Sequence, residues 1–302
     1  MGLLCGLCLL LAGTGGSLQA QEPSALFWSL SKNGQDAGFL LGTIHSEDPR
    51  VLDFHESFID VLDSNDFFAM EIVPDLPTLN RLTQYMQYQD GRTLESQVGP
   101  ERYAILKPLL ANYKIPTDWI SGMKVWAVMM TLSVPPPQTG LFMDFSLSLR
   151  AAGAGLKVVG LETLEQQLSF LETMSLEQQL ALLDQAITEQ EKSHEIHAQM
   201  VNSYLAGDTA ALRATAEEQL DQLDDATRRH FVELGVNERN QRMIDTLLPL
   251  LQQGKVFTAV GALHLPGEQG LIRLLQNQGY ELAPLPLPLI DAVPESGLQS
   301  RQ

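Results

Sequence analysis

The sequence predicts an α/β protein with a central mixed β-sheet flanked by helices. Three observations support this. Short apolar runs bounded by turn residues alternate with stretches of helical periodicity. Two of those runs end in the same Gly-x-x-His pattern, a weak internal duplication. A long segment, about 163–251, reads almost wholly as helix and looks like an insertion between strands.

Bulk properties set the frame. A chain of 302 residues with 44% apolar and 19% charged content can bury a sizeable core. The formal charge of −18 repels nucleic acid and anionic membranes, which excludes a phosphate-backbone binder.

Residues 1–20 read as a signal peptide. Leu, Gly, Ala and Cys run without charge to Gly16, and Ser17-Leu18-Gln19-Ala20 offers small residues for cleavage, although no Lys or Arg precedes the run. Both cysteines, Cys5 and Cys8, lie in this segment. The mature chain is then expected to have no disulfide, thiolate metal site or cysteine nucleophile. No later stretch is apolar enough to span a bilayer, so a periplasmic or secreted protein without a transmembrane segment is expected, with one domain over 21–290.

Ala25 to Ser31 and Gly38 to Thr43 read as a hairpin around Asn33-Gly34, its second strand running into His45. Val51 to Ser64 has helical spacing. Phe67 to Val73 is an apolar strand containing Glu71. Met123 to Leu132, around Trp126, is an apolar helix, and Val134 to Gly140, with three prolines, is a loop. Lys157 to Leu161 is a strand ending at Glu162. Within the helical segment, Ser175 and Gln178 form a capping box, and Gly207-Asp208 ends one helix and caps the next. Val256 to Val260 is a strand leading to His264. A helix near 268–276 and a strand near Tyr280 follow, and 291–302 read as a disordered tail.

The chemistry concentrates at strand ends. Leu41-Gly42-Thr43-Ile44-His45 matches Val260-Gly261-Ala262-Leu263-His264 in placing a histidine just past an apolar strand, where open α/β sheets bind ligands. The glycines suit a sharp turn or a close backbone approach. Glu71 and Glu162 stand in apolar settings, which is costly unless each is paired, protonated or bound to a metal. If the strands are neighbours, two imidazoles and two carboxylates converge, a donor set for Zn, Mn, Co or Fe. Each residue also has a structural reading. Glu71 could pair with a core arginine, Glu162 could cap the next helix, Arg239 could pair with either glutamate, and Asn240 could serve a first helical turn capped by Asn237.

On these motifs the chain resembles the TraB/GumN family, related to the Tiki metalloproteases and more remotely to erythromycin esterase-like and ChaN-like proteins. The resemblance rests on Leu41-Gly42-Thr43-Ile44-His45-Ser46, Met70-Glu71-Ile72, Gly160-Leu161-Glu162-Thr163 with Gln166-Gln167-Leu168, Glu238-Arg239-Asn240, and Val260 to Gly267. The Trp126 and Asp144 regions fit more loosely. It implies a metal-dependent protease favouring manganese or cobalt and acting on extracellular polypeptides. It also implies that His45 and His264 are paired metal ligands, that Glu71 and Glu162 are ligands or proton carriers, and that Arg239 and Asn240 form a polar pair at the site. A C-terminal anchor of the Tiki kind is not expected here.

Other signals carry less. His194-Glu195-Ile196-His197 has the wrong spacing for a zinc helix and reads as a solvated face. Gly153-Ala154-Gly155 precedes a strand and is not a dinucleotide fingerprint. His55 has no assigned role, Arg228-Arg229-His230 reads as surface, and no Gly-x-Ser-x-Gly elbow occurs. The favoured function is a metal-dependent hydrolase, a peptidase on extracytoplasmic peptides or proteins. The rivals are a non-catalytic protein sequestering a peptide, metal or haem, and an accessory factor in export or polysaccharide biosynthesis.

Overall fold

Strands β1 (Phe27–Lys32) and β2 (Gln35–Thr43) form the expected hairpin in a computed structural model that describes residues 25–290. The expectations for 1–20, for Cys5 and Cys8, and for the 291–302 tail lie outside the described residues. Asn33 and Gly34 both have left-handed φ, 54° and 74°, the conformation a two-residue hairpin turn requires.

Four further strands complete one mixed sheet: β3 (Phe67–Met70), β4 (Lys157–Gly160), β5 (Val256–Gly261) and β6 (Glu281–Leu285). The order is β4-β3-β5-β2-β1-β6. Pairing is parallel from β4 through β3 and β5 to β2, and antiparallel for β2-β1 and β1-β6. Parallel strands must be covered on both faces, and side chains alternate accordingly. Phe257 and Ala259 pack with Phe58, Phe68, Leu147 and Tyr204 on one face. Val256 and Val260 pack with Ala69, Met243, Ile244 and Leu247 on the other. A third core, wholly helical, gathers Trp126, Met129, Leu168, Leu183 and Phe231.

Between β4 and β5 the chain is helical. Thr163 with Gln166 and Ser175 with Gln178 form capping boxes at the Leu164–Glu172 and Leu176–Glu189 helices. Gly207, at φ 66°, precedes Asp208, whose carboxylate caps Thr209–Asp221. Two structural readings are corrected. Thr163, not Glu162, caps the helix after β4. Asn237 caps nothing: a π-helical stretch, Phe231–Asn237, runs without a break into the Glu238–Leu251 helix. β3 also ends at Met70, so Glu71 follows the strand instead of lying within it. Among the described residues no helix is long and apolar enough to cross a membrane.

Candidate functional site

The parallel arrangement aligns the C-terminal ends of β4, β3, β5 and β2 along one edge of the sheet. Glu162, Glu71, His264 and His45 follow these strands in that spatial order. The β3-β4 pairing continues past the strands, with Leu161 N donating to Met70 O (2.7 Å) and Glu162 N to Glu71 O (2.9 Å). This places the two glutamates side by side.

Like charges in a buried site need a counter-ion, and Arg239 supplies it. Its guanidinium is fully buried. Nε donates to Glu162 Oε2 at 2.8 Å, and Nη2 lies 2.6 Å from Glu71 Oε2 and 2.7 Å from Glu162 Oε2. Gln167 Nε2 also donates to Glu71 Oε2 (2.7 Å), and Gly261 N donates to Glu71 Oε1 (2.8 Å). A Cβ at 261 would stand 3.2 Å from that same oxygen, so any larger residue there would press on the Glu71 carboxylate. Burial pushes the Glu71 carboxyl up, but Arg239, His264 and the Gly261 N–H outweigh it and hold the group at about 2. Burial raises Glu162, against Arg239, and the neighbouring Glu71 charge adds to the rise. Two adjacent carboxyls are thus driven in opposite directions.

His264 lies against this cluster, fully buried, with Nε2 3.8 Å from Glu71 Oε1. Asn240 Nδ2 donates to Gln269 O (2.8 Å), which turns Oδ1 toward His264 Nδ1 at 2.6 Å. An amide oxygen only accepts, so the imidazole proton resides on Nδ1. Nε2 is buried with no hydrogen-bond partner. Burial, with Arg239 adding to it, lowers the His264 pKa to about 4, so the ring is neutral at neutral pH.

His45 repeats the pattern from β2. Its ring stacks on Phe142 with centroids 3.9 Å apart and planes 10° from parallel. Nδ1 faces Asp144 Oδ2 at 3.4 Å, and Thr43 Oγ1 donates to Asp144 Oδ1 at 2.5 Å. His45 Nε2, too, is buried without a partner. The helical segment reaches the same place. His197 Nε2 lies 2.9 Å from the buried Ser46 Oγ, and Tyr204 Oη donates to Gly42 O at 2.7 Å. A cavity of about 40 Å³ links the two halves, lined by His45, Glu71, Thr43, Gly261 and Tyr204 among others.

The structure therefore joins Glu71, Glu162, Arg239, Asn240 and His264 in one buried network, and brings His45 to a cavity wall it shares with Glu71. Arg239 takes the ion-pair reading, with both glutamates. Asn240 orients His264 instead of serving a helix turn. His194 is exposed as expected, but His197 is half-buried at Ser46 and is no part of a solvated face. Asp144 was legible only loosely, and Gln167 only as part of a motif, because their contacts span 99 and 96 residues. His55 is exposed.

The donor chemistry suits a divalent cation. Metal-binding histidines characteristically commit one ring nitrogen to an oxygen acceptor and leave the other for the ion. His45 and His264 both do so, and a buried nitrogen lone pair without a partner is otherwise costly. Among the described residues, no three His, Cys, Asp or Glu side chains form a closed ligand cluster.

The sequence profile of the TraB/PrgY/gumN family matches residues 26–284. Among curated proteins, metalloprotease TIKI1 of Danio rerio is 24% identical, covering 87% of this chain and 63% of its own length. Metalloprotease TIKI2 of Xenopus tropicalis is 24% identical, covering 88% of this chain and 61% of its own length. The chain thus spans about three fifths of the length of the curated relatives it matches. No solved structure matches.

Proposed function

The chain belongs to the TraB/PrgY/gumN family, and from that premise we propose that it is a metal-dependent hydrolase, a peptidase acting on extracytoplasmic peptides or proteins. One observation carries the reading. Two histidines at adjacent strand ends, His264 buried and His45 half-buried, each turn Nδ1 to an oxygen acceptor and leave a buried Nε2 without a hydrogen-bond partner. The curated relatives named as metalloproteases support it. The extracytoplasmic part rests on the apolar run at the start of the sequence.

His45 and His264 would hold the ion, with Glu71 and Glu162 as the neighbouring carboxylates. Manganese and cobalt are the first candidates, zinc and iron the next. A bound divalent cation supplies Lewis acidity toward a substrate carbonyl. The protein's own groups do the rest. Asp144 and Asn240 orient the imidazoles. Arg239 and Gln167 hold Glu71 ionised and in place. Glu162 is the group suited to hold and return a proton, because burial raises its carboxyl while Arg239 holds Oε2, and Oε1 accepts no hydrogen bond and has Arg242 Nε at 3.6 Å. Arg239 is thus assigned a positioning role through the two carboxylates.

The test is metal analysis of purified protein, followed by peptide-library cleavage with manganese or cobalt. Wild type is expected to bind metal and cleave. His45→Ala and His264→Ala are expected to lose both while keeping their circular dichroism. Cleavage persisting in both variants would remove the histidines from the mechanism. Tight peptide binding without turnover would favour a sequestering protein.

A further inference from the structure

A second, larger cavity adjoins the one beside Glu71. Ile44, His45 and Met200 line both. The larger measures about 120 Å³, close to the ~150 Å³ of an engineered apolar cavity that accepts benzene. That is room for one side chain and too little for a lipid tail. Its apolar walls come from four helices: Met129 and Leu132 from Val125–Leu132, Leu182 and Ala186 from Leu176–Glu189, Met200 from Ser193–Leu205, and Ala216 from Thr209–Asp221.

The polar part of the lining decides what is refused. No Lys or Arg lines the cavity, so an entering carboxylate would lose its water with no counter-charge. The acidic lining residue, Glu189, is engaged by Gln185 Nε2 at 3.3 Å, and Gln185 also donates to Gln219 O at 3.0 Å. Met129 and Met200 give walls that adapt to unbranched or γ-branched chains.

We infer that this cavity is a side-chain subsite, taking a leucine or methionine side chain of a peptide whose backbone passes His45. The inference rests on the peptidase reading and names its substrate class. A free small apolar molecule would not explain why the cavity shares His45 with the reactive edge.

The test uses the full chain with methionine methyl groups labelled with carbon-13. N-acetyl-leucine methylamide is titrated in and followed by NMR, with N-acetyl-aspartate methylamide as control. The leucine probe is expected to shift the Met129 and Met200 methyls saturably, and the aspartate probe to leave them unmoved. Ala216→Met should fill the cavity and weaken the leucine response at least tenfold. Leu182→Ala should enlarge it and admit the phenylalanine analogue. In peptide-library cleavage, the same variants should lose or broaden a leucine/methionine preference at one position. Equal shifts with both probes, or a leucine response unchanged in both variants, would overturn the subsite. Specific methyl shifts without any cleavage would keep the subsite and reject the hydrolase. Cleavage whose sequence preference ignores both variants would do the reverse.

Discussion

Arg239 neutralises two carboxylates that could not otherwise stay buried together. Arg239→Met should cost roughly 3–5 kcal/mol, because it strands two buried acids. Arg239→Lys should rescue little, since one ammonium cannot reproduce the planar fork. Urea denaturation measures both. Asn240 makes a subtler case. Asn240→Leu removes the acceptor that fixes the His264 tautomer and, on the metal-dependent reading proposed above, should weaken manganese binding roughly 10–100-fold. Asn240→Asp keeps the acceptor but sets an oxygen against Gln269 O, so it should retain binding only in part, which calorimetric titration would resolve. The same residues set the acid response of the metal-free protein. His264 has its pKa drawn from the ordinary 6.5 to about 4, so between those values the unfolded chain binds more protons and stability falls as pH falls. Glu71 adds a second loss between its ordinary 4.5 and about 2. Glu162 is shifted upward and acts in the opposite sense, giving stability at low pH that is lost as pH rises through its folded value. The urea midpoint should therefore fall less, or rise more, between pH 7 and pH 4 in His264→Gln than in wild type. An identical pH dependence in His264→Gln and wild type would contradict the burial of a neutral ring.

At the level of elements, the Gly-x-x-His units are tight because neighbouring backbones approach closely. A Cβ on Gly42 would meet Leu265 Cδ1 at 2.8 Å and Ala262 Cα at 2.9 Å, so Gly42→Ala forces the β2 and β5 ends apart. We expect a loss of about 1–3 kcal/mol for Gly42→Ala. Gly261→Ala presses instead on the Glu71 carboxylate and should impair metal binding more than stability, a contrast that denaturation and metal titration together would reveal. Sequence reading found these units because a strand, a glycine and a histidine repeat at fixed spacing. It found the two glutamates because acids in apolar runs are rare, and the Ser175–Gln178 capping box because it is local, but it named Glu162 where Thr163 is the cap. It did not find the π-helical stretch, where Asn237 has the composition of a cap but the chain runs straight through. A widened turn leaves no composition mark, yet it lies one turn before Arg239 and Asn240 and sets the face they present.

At the scale of the whole molecule, three contacts close the site across the chain. Tyr204 bonds Gly42 across 162 residues, His197 meets Ser46 across 151, and Asp144 meets His45 across 99. No sequence pattern announces such pairs, and this is why His197 read as solvated. Nor does sequence disclose that β3 lies between β4 and β5, the placement that makes the glutamates neighbours. Tyr204→Phe should cost about 1 kcal/mol and speed amide exchange across the Ser193–Leu205 helix, with the β5 amides unaffected. The margins of the sheet have a consequence of their own. β4 is only four residues long, and β6 carries Pro284, which has no amide proton to give. Neither border offers an unbroken ladder on which an extended polypeptide could zip itself as a seventh strand. Among the described residues, then, the flanks of the sheet leave an incoming segment little backbone to pair with.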